Sequence, residues 1–180
     1  MNGYLRGMAL ALGAALTLPV AARGQACTAP IPVGTCTATT STTLTVGLVL
    51  QLTLSSTTTT LAGPALSDYD AGFVANQGPT AIVSSNRPWR LQLSAAAPTW
   101  TATSTQPGVA ARPNKPAADL EWSTAAGGPF TALTTVPVTA VSGAAAAVAT
   151  TDFHYHTLYN WTVDTPGSYS LIVVFTIVSP

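Results

Sequence analysis

Apolar and polar positions alternate over much of this chain. Across residues 43–54, Leu44, Val46, Leu48, Leu50, Leu52 and Leu54 fall on one side, and Thr43, Thr45, Gly47, Val49, Gln51 and Thr53 on the other. Period two with β-branched residues predicts a half-buried strand, long enough to hold a bulge near Gly47. The pattern recurs at residues 89–94, where Trp89, Leu91 and Leu93 oppose Arg90, Gln92 and Ser94. In residues 153–163, Phe153, Tyr155, Tyr159, Trp161 and Val163 share a face. Asp152, His154, His156, Asn160 and Thr162 share the other. Asp164-Thr165-Pro166-Gly167 is a turn by its Pro and Gly positions, and residues 169–178 are strongly β-forming. The last third therefore predicts an antiparallel hairpin.

Shorter strands are expected at residues 57–61, 80–84, 99–104, 119–123 and 130–135. Residues 67–73 and the Pro-rich 106–117 predict loops. Pro137 confines the piece after it to an edge or a bulge. Residues 142–149 contain four consecutive alanines but no apolar stripe, which predicts loop or strand rather than helix. Many short strands with Gly/Pro turns predict an all-β fold, a single immunoglobulin-like antiparallel β-sandwich over residues 27–180. Its core would lie between two sheets.

Residues 1–26 break this pattern. Arg6 precedes an apolar run from Met8 to Val20, and Gly24-Gln25-Ala26 has small residues at both cleavage positions. The run is about 13 residues, short of the roughly 17–25 that span a bilayer. A cleaved secretory signal peptide is expected, placing the mature protein outside the cell, at its surface or in a periplasm. Cleavage after Ala26 would expose Cys27, but Gly24 stands where a lipoprotein signal has Leu. An oxidising compartment and two cysteines, Cys27 and Cys36, predict one disulfide around a Pro/Gly-containing loop, stabilising by about 2–3 kcal/mol.

Charge narrows the partners. Only 7% of the 180 residues are charged, with 6 Lys+Arg and 6 Asp+Glu. Loss of Arg6 and Arg23 with the signal leaves 4 basic against 6 acidic residues, a formal charge of −2. That excludes a basic surface for nucleic acid and a polybasic stretch for anionic lipid. With 47% apolar residues the chain also has the material for a core.

Candidate chemistry is sparse. His154 and His156 share a strand face with Asp152, but a metal site needs further ligands. Asp68 and Asp70 flank Tyr69, and Asp119 and Glu121 alternate, without a partner at a useful spacing for paired-carboxylate catalysis or calcium. No serine sits in a G-x-S-x-G elbow and no Gly-rich phosphate loop occurs. Asn160-Trp161-Thr162 matches an N-glycosylation sequon. No cofactor, no metal and no enzymatic activity are expected.

Trp89-Arg90-Leu91 is a W-x-L tripeptide on an amphipathic strand, and Pro166-Gly167-Ser168-Tyr169 leads to Phe175-Thr176-Ile177 before Ser179-Pro180. Residues 79–180 thereby resemble the WxL domain of bacterial surface proteins. That family has an early W-x-L and a terminal Gly-x-Tyr strand ending in Trp-x-Leu before Pro. Phe175 and Ile177 stand here in place of that Trp and Leu. The resemblance implies non-covalent binding of cell-wall peptidoglycan or surface glycan, or of other surface proteins, with Trp89, Leu91, Tyr169, Phe175 and Ile177 as motif residues. The same five alternate as core residues would. The Thr/Ala-rich composition, N-terminal Cys pair and final Gly-x-Tyr strand also resemble chaperone–usher pilin or spore-coat-type subunits. This second resemblance implies self-assembly through a donated strand.

Overall fold

The computed structural model describes residues 35–180, so the expected signal peptide and Cys27 lie outside the described residues. All described strands belong to the unit Val46–Pro180. They are β1 (Leu50–Leu54), β2 (Phe73–Ser85), β3 (Trp89–Ala95), β4 (Thr101–Thr103), β5 (Leu120–Ser123), β6 (Thr131–Ala132), β7 (Val138–Gly143), β8 (Ala146–Leu158), β9 (Ser168–Ser170) and β10 (Val173–Val178). One short helix, α1 (Leu66–Ala71), precedes β2, and a single 3-10 turn, Ala117–Asp119, precedes β5.

Two antiparallel sheets face each other. One has the order β1-β2-β8-β5-β6, the other β10-β3-β7, and β4 with β9 forms a separate ribbon. The fold is thus all-β and sandwich-like, as the alternation predicts. Trp89, Leu91 and Leu93 on β3 are buried, as are Ala81 and Val83 on β2, Leu120 and Trp122 on β5, and Phe153 and Tyr155 on β8. Phe153 meets Phe175 of β10 edge-on across the sheets, ring centroids 5.1 Å apart, and Trp122 at 6.2 Å. Each fully buried Leu or Phe contributes about 1.5–3 kcal/mol, so this inward face is the main source of stability.

β2 and β8 are the longest strands and pair along most of their length. The register shifts between Gln77 and Thr80, where Pro79 has no N–H to give to the ladder. A Cβ at Gly78 would lie 2.8 Å from the Tyr155 ring, so glycine lets β2 approach β8 there.

Several expectations are corrected. The strand expected at 43–54 forms only as β1. Leu50, the first paired residue, meets Ser85, the last residue of β2. Beyond it, the Asn86 side chain takes the Val49 N–H at 3.0 Å and the Gly47 carbonyl at 2.7 Å, and Val46 and Leu48 stay exposed. Residues 57–61 form no strand, because the Ser56 hydroxyl bonds locally to Thr58 N–H and carbonyl. The loop expected at 67–73 contains α1. Asp68 reaches back to the Ala65 N–H at 2.7 Å, and Gly72 ends the helix with φ 83°.

The expected C-terminal hairpin does not form. β8 ends at Leu158, and both its edges are taken, by β2 and β5. β10 pairs instead with β3 in the opposite sheet, and Tyr169 lies on β9, paired with β4. The intervening chain is held by the Asp164 carboxylate, which accepts from Asn160 N–H at 2.7 Å and from two cations. Tyr159, Trp161 and Val163 therefore do not continue the buried face of Phe153 and Tyr155.

Candidate ligand-binding site

Lys115 is the only lysine in the chain and is 2% exposed. It sits in the Pro-rich loop before the 3-10 turn. Its Nζ donates at 2.9 Å to Asp119 Oδ2, to Asp164 Oδ1 and to the Leu158 carbonyl. Three donors thus meet three acceptors. Arg112 Nη1 pairs with the same two carboxylate oxygens, also at 2.9 Å. Two cations and two anions close into one neutral cluster. Burial raises the Asp164 pKa, but hydrogen bonds from Lys115, Arg112 and the Asn160 N–H outweigh it, and the net shift is downward. The carboxylate stays ionised.

Aromatic rings surround this cluster. The Tyr159 ring centroid lies 5.2 Å from Lys115 Nζ. Tyr69, carried by α1, is 5.7 Å from Tyr159 and stacks on Trp161 at 4.5 Å with 27° between planes. Trp161 Nε1 donates to Asp70 Oδ1 at 3.2 Å, and its side chain is left 55% exposed. Tyr169 accepts from the Arg112 N–H at 2.9 Å and donates to the Thr165 carbonyl at 2.6 Å. Burial raises the Tyr69 and Tyr159 pKa values, so both phenols stay neutral and able to donate.

Beside the charge cluster lies a cavity of about 230 Å³, lined among others by Tyr69, Trp100, Lys115, Thr157, Tyr159 and Tyr169, with Trp161 outside this lining and stacked on Tyr69. The Thr157 hydroxyl is buried without a hydrogen-bond partner among the described residues. An exposed indole stacked on a tyrosine that lines a polar pocket suits a ligand with an apolar face and several hydroxyls.

The other sequence candidates fall elsewhere. Trp89 and Leu91 are buried on β3, and Ile177 and Phe175 lie beside Leu91 and Leu93 in the β10–β3 ladder. These four are brought together inside the sandwich, where Trp89 Nε1 has no hydrogen-bond partner among the described residues. Tyr169 alone of the five reaches the pocket. His154 and His156 share the outer face of β8. His156 is stacked between Phe73 at 4.2 Å and Phe130 at 3.5 Å, and burial against these rings lowers its pKa although Glu121 opposes this. Asp152 accepts from the Thr80 hydroxyl at 2.6 Å. Among the described residues no group of three His, Cys, Asp or Glu could hold a metal ion.

Asp68 and Asp70 flank Tyr69 as the sequence has them, but Asp70 now anchors Trp161. Asp119 belongs to the charge cluster, whereas Glu121 lies on β5 opposite His156. Lys115 and Arg112 were not among the candidates. The signal for them was their scarcity: two of the four cations outside residues 1–26 stand three positions apart in one loop.

No family model matches this chain, and no curated protein matches it. Among the described residues no helix is long and apolar enough to cross a membrane.

Proposed function

We propose that this chain is a secreted, non-enzymatic bacterial surface protein that binds cell-wall or surface glycan through the aromatic end of its sandwich. The observation that carries this reading is Trp161, stacked on Tyr69, hydrogen-bonded to Asp70 and still exposed. Sugar rings present apolar C–H faces and hydroxyl edges, and stacked aromatics beside an acid and a neutral pocket complement both. Secretion rests on the signal-like residues 1–26, and the WxL-like arrangement of Trp89, Leu91, Phe175 and Ile177 supports a wall-associated role. An immunoglobulin-like relationship and a Cys27–Cys36 disulfide belong to the same proposal. Among the described residues no cysteine is free.

The test is retention of the secreted protein on purified peptidoglycan and on cell-surface polysaccharide. Wild type is retained on one of them, and Trp161→Ala weakens retention about tenfold, about 1.4 kcal/mol. No retention above an unrelated secreted protein of similar charge contradicts the proposal.

One observation favours a second reading, a self-assembling pilus or coat subunit completed by a donated strand. β10 is an outer strand of its sheet, and the alternating residues 43–49 form no strand of their own. Polymer ladders of the purified protein that disappear when residues 43–49 are deleted would support it.

A further inference from the structure

A larger cavity, about 460 Å³, opens between the two sheets on the side of β1 and β10. It is separate in purpose from the Trp161 platform and needs no glycan reading. Leu54, Leu120, Leu171, Val173 and Phe175 line it together with Trp100. Its rim is the hydroxyl run Ser56–Thr60, tied down where Ser55 Oγ accepts the Thr80 N–H at 2.9 Å. Among the described residues no charged side chain lines it. Tyr155 also lines it, is 3% exposed, and makes no hydrogen bond from its hydroxyl among the described residues. Burial pushes the phenol pKa well up, so it stays neutral.

We propose that this cavity binds a neutral single-chain amphiphile, an acyl or alkyl chain ending in hydroxyl or ester groups. The volume lies within the roughly 300–1,000 Å³ of small-molecule sites. Apolar walls favour the chain, and a neutral phenol with a hydroxyl rim favours uncharged polar groups. A carboxylate would lose its hydration with no cation to meet it.

The uncharged dye N-phenyl-1-naphthylamine, added to the secreted full chain, tests this. We expect a saturable fluorescence rise, displaced by glycerol monolaurate at about tenfold lower concentration than by laurate at pH 8. Leu171→Trp fills the cavity and abolishes the rise while circular dichroism is unchanged. Tyr155→Phe keeps dye binding and weakens monolaurate displacement, which keeps the test open should Leu171→Trp misfold. The proposal is overturned by a rise that does not saturate, by equal displacement by laurate, or by undiminished binding in folded Leu171→Trp. It is also overturned if the protein elutes as oligomers that Leu171→Trp dissociates, since a second copy then fills the space.

Discussion

Lys115 and Asp164 stand 49 positions apart and meet at 2.9 Å, Nζ to Oδ1, with side chains 2% and 5% exposed. This contact ties the loop before β5 to the turn after β8. It fixes where the chain leaves one sheet for the other, and it sets Lys115 Nζ 5.2 Å from the Tyr159 ring.

Removing one charge from a buried pair leaves the other uncompensated. Lys115→Met is expected to destabilise by about 3–5 kcal/mol. Urea unfolding followed by tryptophan fluorescence measures this. A loss below about 1 kcal/mol would show that the cluster is not a structural tie.

Asp164 titrates below its ordinary 3.8 in the folded protein. A carboxylate with a depressed folded pKa contributes stability that is complete above the unfolded value and is lost as pH falls through the folded one. The urea midpoint should hold from pH 7 to about 4 and then decline. In Asp164→Asn the midpoint starts lower and the decline below pH 4 is shallower. An equally steep acid decline in that variant would assign the effect to other carboxylates.

A Cβ at Gly78 would sit 2.8 Å from Tyr155 Cε2 and 3.0 Å from the Phe153 carbonyl, whereas one at Gly47 meets nothing within 4 Å. Gly78→Ala is expected to cost about 1–3 kcal/mol. Gly47→Ala should change stability by less than about 0.5 kcal/mol. Parallel thermal melts compare them, and equal melting temperatures would contradict the close β2–β8 approach.

Mass spectrometry of protein from the medium tests the disulfide and the cleavage together. The mature chain should begin at Cys27 and gain two hydrogen atoms on reduction. Reduction should lower stability by about 2–3 kcal/mol. A reactive thiol in unreduced protein would rule the bridge out.

Much of the layering was legible in the sequence. Trp89, Leu91 and Leu93 alternate on β3, and Phe153 and Tyr155 on β8, and both sets are buried because period-two burial is a local property. Pairing was not legible. The turn-like Asp164-Thr165-Pro166-Gly167 predicts a hairpin, but Asp164 is drawn to Lys115 and Arg112 and β8 has no free edge. The site was hidden for the same reason. Tyr69 lies 90 or more positions from Tyr159 and Trp161, and spacing carries no sign that these rings meet. The clue available was an aromatic predicted inward, Trp161, in a run rich in Asn, Thr and Asp, where a solvent-facing indole is the informative exception.

The most direct measurement is a heteronuclear NMR titration that follows the indole N–H signals as soluble muropeptides or surface polysaccharide fragments are added. The account predicts saturable shifts of the Trp161 N–H and of residues around Tyr69 and Tyr159, with Trp89 and Trp122 unmoved. Saturable shifts at other surfaces with Trp161 unmoved, or no shifts with any glycan fragment, would contradict it.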